Sequence, residues 1–361
     1  MKILAASAYL DTWTSVRPEA ALFAGLVARG HEVTMASRGH ASHLAWLAAA
    51  GVRILDAYPR RKLCPSTMRA YRRELRSGGY DIAYGMNSKT ITNLAFAMTG
   101  LPTRLVTYRG TSSGMYRHDP SSYLTHLHPR VDAICCVSRA VERVVRQRVW
   151  RRAVVVTTVH KGHELSWFPP ATADLGEFGI PAGAFVIACI ANARPGKGLD
   201  LLLAAAGEVL AHPEVHLLLV GRGMSAAPYA GMREASRWKE RIHLVGHRGD
   251  AANLLAGASL YVQPSRRGEG LPKTVIEAMA QSIPAVVSDA GGMPELVVHG
   301  ESGWVVESGS VPALSSALQH AWQQRESLPA MGRLARARIG SEFSTRRTID
   351  GHIRLFESLL G

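Results

Sequence analysis

Short apolar runs alternate with amphipathic stretches along the first half of the chain, and the same alternation restarts at Phe185. This pattern is typical of βα units that build a parallel sheet. The strand candidates of the first half are Lys2–Ser7, Glu32–Ala36, Val52–Leu55, Asp81–Tyr84, Arg104–Tyr108, Val131–Val137 and Ala153–Thr157. The helix candidates are Pro18–Arg29, Ala41–Ala50, Thr67–Arg76, Thr90–Met98 and Arg139–Val149. With 361 residues, the chain is long enough for two α/β domains, and the Pro/Gly-rich stretch 169–183 is the best linker candidate.

The charge balance favours anionic partners. The formal net charge is +14, which suits nucleotide diphosphates, phosphorylated glycans, anionic lipid headgroups or nucleic acid. A nucleic-acid binder is the least favoured of these, because aromatic residues are only 7% of the chain and do not interleave with the basic ones. We therefore expect no nucleic-acid partner.

Cysteine usage and hydropathy indicate a cytoplasmic protein. The four cysteines show no metal-ligand spacing, and two of them are adjacent in the apolar run VDAICCVS, which predicts buried thiols in a reducing compartment. The apolar N-terminal run ends at Asp11, so it predicts a buried strand rather than a signal peptide. No run of eighteen apolar residues is present, so we expect no membrane span.

The stretch Pro264–Val306 carries the clearest chemistry. A buried strand leads into a loop with Glu269, and Gly270–Leu271–Pro272 opens a helix that holds Glu277. The start of that helix would present free N–H groups and a partial positive charge, which suit a phosphate. Glu277 lies about one turn inside the helix, so both carboxylates can face one pocket. The pattern describes a pocket for a nucleotide sugar.

Glu269 and Glu277 stand in EGLPKTVIEAMA, which PAVVSDAGGMPELV and SGWVV follow. This run of about forty residues resembles the retaining GT-B glycosyltransferases of family 4. The resemblance implies that Glu269 lies against the donor sugar and that Glu277 holds the ribose hydroxyls. Backbone groups of the same run are implied donor contacts: Gly270, Leu271, Pro272, Lys273 and Thr274.

The resemblance also implies the domain arrangement of a GT-B fold. An N-terminal Rossmann-like acceptor domain is expected at 1–168 and a Rossmann-like donor domain at 184–343, with a cleft between them. The final helix, within 344–361, is expected to cross back to the first domain.

Two cations in the turn that follows the strand beginning at Phe185 match the family's diphosphate clamp. Lys197 lies in KGLD before an apolar helix, and Arg194 lies three residues earlier. Together with the start of the Pro272 helix, they would stabilise the leaving diphosphate. No DxD-like pair is present, so we expect neither a metal nor another cofactor.

Further donor-site candidates lie in the second half. Gly221 ends the buried run Leu217–Gly223, and His247 and Arg248 follow the next strand, where family members contact the base. Asp250 is expected to cap the next helix.

The first domain departs from the family in two places. Asp11–Ser15 stands where many members carry a Gly-Gly pair, and Arg109 stands where a histidine is usual, with His118 farther along. Arg109 either binds a leaving phosphate or an anionic acceptor, which would make it a catalytic residue, or is a surface arginine in a turn.

A basic helix face is the main acceptor-side candidate. Its members recur at helical spacing after Arg60, Arg61 and Lys62: Arg69, Arg72, Arg73 and Arg76. A second basic stretch runs from Arg139 to Arg152. Such a face either is solvated or rests on an anionic membrane, and we favour the membrane.

The sequence therefore predicts a retaining, metal-independent glycosyltransferase of the hexosyltransferase type. It would use a UDP- or GDP-sugar and a hydroxyl of a glycan or lipid-linked acceptor, in cell-envelope polysaccharide or lipopolysaccharide synthesis. A nucleotide-sugar 2-epimerase of the same fold is the alternative. We expect the protein in the cytoplasm or on the inner face of the cytoplasmic membrane.

Overall fold

The computed structural model describes residues 1–9, 13–41, 43–169 and 173–361. The chain forms two compact units: the first contains Met1–Gly162 and Phe343–Gly361, and the second contains His163–Glu342. Asp11 and Thr12, where the sequence departs from the family, lie outside the described residues, as do residues 170–172 of the predicted linker.

The first unit is built on a seven-stranded sheet. Its strands are β1 (Lys2–Ala6), β2 (Glu32–Ser37), β3 (Arg53–Asp56), β4 (Ile82–Gly85), β5 (Arg104–Arg109), β6 (Ala133–Cys136) and β7 (Val155–Thr158). All pairs are parallel in the order β3-β2-β1-β4-β5-β6-β7, so the winding reverses beside β1. The central strands β1 and β4 are almost fully buried, because helices cover both faces of such a sheet.

The second unit repeats this plan with six strands. They are β8 (Phe185–Ile190), β9 (Val215–Val220), β10 (Ile242–Val245), β11 (Leu260–Gln263), β12 (Ala285–Ser288) and β13 (Gly303–Val306). Their order is β10-β9-β8-β11-β12-β13, again all parallel. The reversal of winding lies between β8 and β11, and open α/β sheets bind ligands at the carboxyl edge of such a point.

Helices connect the strands of both sheets. The first unit has α1 (Trp13–Ala28), α2 (Leu44–Ala49), α3 (Pro65–Gly78), α4 (Ser88–Ala97) and α5 (Arg139–Arg148). The second has α6 (Leu199–Ala205), α7 (Tyr229–Glu234), α8 (Ala251–Leu254), α9 (Lys273–Ala280), α10 (Met293–Leu296), α11 (Val311–Gln323) and α12 (Leu328–Glu342). The last helix is α13 (Thr345–Glu357), which belongs to the first unit. Within the described part of the chain, none of these helices has both the length and the apolar character of a membrane span.

The C-terminal helix α13 packs in the first unit through buried polar contacts, as the expected fold requires. The hydroxyl of Tyr84 lies 3.1 Å from Nε2 of His352, and Thr348 donates to the carbonyl of His160 at 2.7 Å. Burial lowers the pKa of His352 to about 4, so the imidazole is neutral at pH 7. These contacts hold α13 against β4 and against the segment that follows β7.

The described part of the predicted linker belongs to the second unit. Leu175 and Ile180 are buried in a cluster with Val186, Leu218 and Leu254. Residues 173–183 therefore pack against β8 and β9, because their apolar side chains complete that face of the sheet.

Candidate active site

Glu269 lies in the loop after β11 and is almost fully buried, with 7% of its surface exposed. Its Oε1 accepts hydrogen bonds from Nζ of Lys197 at 2.5 Å and from Oγ of Ser265 at 2.7 Å. The predicted catalytic Glu and the predicted diphosphate cation are thus in direct contact, although 72 residues separate them. They meet because β8 pairs with β11, which places the two following loops at one edge of the sheet.

A chain of buried hydrogen bonds supports Glu269 from below. Nε2 of Gln263 donates to Ser265 Oγ at 2.9 Å, and Gln263 Oε1 accepts from the hydroxyl of Tyr261 at 2.9 Å. The same oxygen accepts from Thr274 in the first turn of α9 at 3.2 Å. The network orients the carboxylate from the core of the sheet, since satisfied buried polar groups are held rigidly.

This network was not predicted from the sequence. Its only sequence signal is the polar ending of the buried strand, YVQPS, which places a glutamine and a serine where apolar residues end. Gly291 was not predicted as a site residue either. It has φ +63° and packs against the loop that carries Glu269. A Cβ at Gly291 would lie 2.1 Å from the carbonyl oxygen of Glu269, so only glycine permits this approach.

The turn after β8 is tied to the loop after β11 by Arg266. Its guanidinium binds both carboxylate oxygens of Asp200 at 2.7 and 2.6 Å, and the backbone N–H of Arg266 donates to the carbonyl of Gly196 at 2.8 Å. Lys197 ends this turn, and Arg194 begins it with an exposed side chain. Arg266 therefore holds the cation-bearing turn in register with Glu269.

Glu277 lies in α9, with 4% of its surface exposed. Its Oε1 is 3.2 Å from Nζ of Lys273, one turn earlier. Burial raises the pKa of Glu277 and outweighs the opposing effect of Lys273. A carboxylate in this environment gains from additional hydrogen-bond donors, such as ribose hydroxyls.

The start of α9 differs slightly from the prediction. The helix begins at Lys273, and Pro272 occupies the preceding N-cap position with an extended backbone. No side chain caps this end, so the first turn keeps free N–H groups. Gly270 and Pro272 are buried, whereas Leu271, Lys273 and Thr274 are partly exposed.

Gly221 lies at the end of β9, where a Cβ would be 1.9 Å from the carbonyl oxygen of Ala191. The glycine therefore has a structural reason that does not depend on a donor. His247 is exposed in the loop after β10. Contacts of Gly221 and His247 with a nucleotide remain predictions.

Arg248 is taken up by carboxylates of the second unit. It binds Glu177 at 3.0 and 3.1 Å and Asp250 at 2.8 Å through two nitrogens. These partners, Asp250 first, raise the pKa of Arg248. Asp250 occupies the N-cap position of α8, as predicted, but its carboxylate accepts from Arg248 and makes no cap hydrogen bond. Base binding by Arg248 remains a prediction.

Arg109 ends β5 in the first unit, partly buried, and donates to the carbonyl of Ser113. Its Nε is buried and has no hydrogen-bond partner among the described residues. Burial lowers the pKa of Arg109. His118 is exposed and stacks on Tyr116 with ring centroids 5.3 Å apart. Their roles toward an acceptor remain predictions.

The predicted basic face of α3 is narrower than expected. Arg69, Arg73 and Arg76 are exposed, but Arg72 is half-buried and donates to the carbonyls of Ala97 and Thr99, both at 2.8 Å. Arg72 therefore satisfies the free carbonyls at the end of α4.

The second basic stretch is largely structural. Arg148 donates to the carbonyls of Ser112 and Met115 at 2.9 and 2.7 Å, and Arg146 pairs with Glu142 at 2.7 Å. Guanidinium groups have several donors, so one side chain can bridge separate loops. Periodicity alone could not distinguish this use from a solvated face.

Two doubly wound parallel sheets in one chain are the architecture of the GT-B class of glycosyltransferases. Residues 172–338 match the family model described as glycosyl transferases group 1, and residues 20–173 match the model of glycosyltransferase family 4. The chain belongs to the GT-B glycosyltransferases of family 4.

Three proteins illustrate the similarity. The lipopolysaccharide core biosynthesis mannosyltransferase LpcC of Rhizobium leguminosarum bv. viciae is 29% identical, over 76% of this chain and 77% of its own length. An Escherichia coli UDP-Gal:alpha-D-GlcNAc-diphosphoundecaprenol alpha-1,3-galactosyltransferase is 24% identical, over 76% and 75% of the two chains. The crystal structure of Anabaena Alr3699/HepE in complex with UDP superimposes with a TM-score of 0.80 at 17% identity, covering 99% of this chain and 100% of that one. The chain is a glycosyltransferase with a GT-B fold.

Proposed function

We propose that the protein transfers a hexosyl group from a nucleotide diphosphate sugar to an acceptor hydroxyl, with retention of anomeric configuration and without a divalent metal. The contact between Lys197 and Glu269 carries the proposal. It brings a cation and a carboxylate that can accept hydrogen bonds to the edge of the sheet where α/β proteins bind nucleotides.

Charge on the diphosphate grows as the glycosidic bond breaks, so groups that stabilise it act mainly in the transition state. Lys197 supplies one cation, and the exposed Arg194 can supply a second. The uncapped start of α9 adds backbone N–H groups. Glu269, held by a hydrogen bond from Ser265, accepts a hydrogen bond from a hydroxyl of the donor sugar and so orients the ring.

The proposed mechanism assigns the charge of the leaving diphosphate to cationic side chains and N–H groups and not to a metal ion. Among the described residues, no three His, Cys, Asp or Glu side chains are grouped so that they could hold a metal ion. Cationic side chains and helix N–H groups can take the role that a divalent ion has elsewhere.

The names of the relatives support the proposed donor and acceptor classes. The HepE structure is reported with UDP, and the E. coli relative is named for UDP-Gal and a diphosphoundecaprenol-linked acceptor. Another relative, a Corynebacterium glutamicum mannosyltransferase 32% identical over 51% of this chain, is named for GDP-mannose. We therefore propose a UDP- or GDP-sugar as donor and a glycan or lipid-linked acceptor of the cell envelope. Transfer is favoured over epimerisation because these relatives are named as transferases.

Titration calorimetry with a panel of UDP-, GDP- and ADP-sugars tests the proposal. One nucleotide sugar should bind. Lys197→Ala should weaken binding of the corresponding nucleoside diphosphate more than binding of the nucleoside. Arg61→Gln, an exposed change of equal charge outside the site, is the control. If none of the sugars bound, the proposed function would be wrong.

A further inference from the structure

A cavity of about 670 Å³ opens in the first unit, beyond the carboxyl ends of β2 and β3. Two arginines, a histidine and three hydroxyls are among its lining groups: Arg38, Arg60, His40, Tyr58, Ser66 and Thr67. Carboxyl ends of parallel strands are where open α/β sheets bind ligands. The volume is that of a small-molecule site, larger than one phosphate needs.

The charge of this cavity favours an anion. The guanidinium of Arg38 lies over the ring of Tyr58, 5.2 Å from its centroid, which holds it in place. Asp56 also lines the cavity, and one of its oxygens accepts from the N–H of Gly39 at 2.8 Å. Within the lining itself, two arginines outweigh one carboxylate, which already has a backbone partner; the thiol of Cys64 is a neighbour of the cavity and is not part of that lining.

The first turn of α3 lines the same cavity. The helix has 14 residues, begins at Pro65, and places Ser66 and Thr67 in the lining. Its N-cap residue, Cys64, makes no side-chain cap hydrogen bond. The positive end of the helix therefore adds to the arginines.

We propose that this cavity binds the phosphate group of a phosphorylated sugar. Guanidinium groups fork to phosphate oxygens, and the space beside them accommodates a sugar ring. The assignment of that sugar to the acceptor rests on the proposed function. Phosphate binding itself depends only on the first unit.

Cys64 provides a local reporter for the test. Hydrogen bonds from Ser66 and Thr67, each at 3.3 Å, lower its pKa to about 6, so the thiol is mostly ionised at pH 7.5. The other three cysteines are buried. Iodoacetamide should therefore label Cys64, and occupancy of the neighbouring cavity should slow that labelling.

The experiment measures the rate of Cys64 labelling against increasing inorganic phosphate, and then glucose 1-phosphate, at constant ionic strength. The rate should fall to a plateau, and glucose 1-phosphate should act at lower concentration. The double variant Arg38→Gln/Arg60→Gln should need about tenfold more phosphate or higher, because charge-assisted hydrogen bonds are lost. Arg61→Gln/Arg69→Gln, which removes equal charge outside the lining, should behave as the wild type.

Three results would overturn the proposal. The first is protection of Cys64 that does not saturate with either phosphate. The second is an equal loss of protection in both double variants, which would indicate general electrostatics. Protection by vesicles of phosphatidic acid but by neither soluble phosphate would assign the surface to a membrane instead. Equal melting temperatures of the variants and the wild type control for folding.

This outcome is separable from the proposed function. Lys197→Ala lies in the other unit and should leave the phosphate protection of Cys64 unchanged. If protection occurred but no nucleotide sugar bound, the cavity would stand and the transferase proposal would fail. The converse pattern would refute the cavity alone.

Discussion

Breaking the ion pair between Lys197 and Glu269 should reduce stability and activity in separable ways. The variant Lys197→Met removes the cation and leaves Glu269, 9% of whose side chain is exposed, with Ser265 as its remaining partner. Loss of one partner of a buried pair costs about 3–5 kcal/mol, but 29% of the Lys197 side chain is exposed, so water relieves part of it. We expect a loss of about 2 kcal/mol, which is roughly 4–8 °C in Tm for a unit of this size.

Differential scanning calorimetry of the full chain gives the comparison. Adding Glu269→Gln to Lys197→Met should recover most of the lost Tm, because a neutral amide needs no cation. Turnover should not recover and should stay about 10²-fold low, because the diphosphate has lost its cation.

Lys239→Met is the matched control for the stability effect. Lys239 pairs with Glu234 at 3.2 Å, with both side chains about half exposed (46% and 56%). Its removal should cost at most about 1 kcal/mol. Equal Tm losses in Lys197→Met and Lys239→Met, or no recovery in the double variant, would refute the assignment of a buried, functional pair.

Four further predictions concern other parts of the protein. Gly291→Ala should cut kcat with little change in the Kd for UDP or GDP, because the new Cβ displaces the Glu269 backbone; an unchanged kcat would contradict this. The Tm of Glu277→Gln should rise relative to that of the wild type between pH 4 and pH 7. The raised pKa of Glu277 means that its ionisation destabilises the folded wild type in this interval. A difference in Tm that did not change with pH would count against this explanation. Activity should persist in EDTA, and loss that manganese or magnesium restores would point to a metal mechanism. Binding to anionic vesicles should weaken with salt and vanish when the three exposed arginines of α3 become Gln, whereas binding that persisted would leave them as a solvated face. Those arginines are Arg69, Arg73 and Arg76.

Local patterns predicted the two sheets well. The runs Lys2–Ser7 and Glu32–Ala36 correspond to β1 and β2 with one-residue differences, since all but the first residue of each strand are buried. The helix candidate Pro18–Arg29 begins five residues too late, because α1 starts at Trp13. Val16 is buried in the core, so packing extends the helix across the proline position.

The site was predicted only in part, because its geometry depends on contacts between distant segments. The motif located Glu269 and Lys197, but not the salt bridge that joins them across 72 residues. Helical spacing placed Arg72 on a free face, but nothing in that spacing shows that its guanidinium binds the end of α4. Asp250 resembled a cap, but Arg248 competes for the same carboxylate.

The most direct test of the central claim is time-resolved ¹H NMR of the α-linked nucleotide sugar that binds in the calorimetric panel. The account predicts slow cleavage in which the α-anomer of the free sugar appears first, before mutarotation, and that Lys197→Ala abolishes this signal. The β-anomer appearing first would contradict retention. Absence of cleavage with every sugar that binds would contradict the assignment of Lys197 and Glu269 to catalysis.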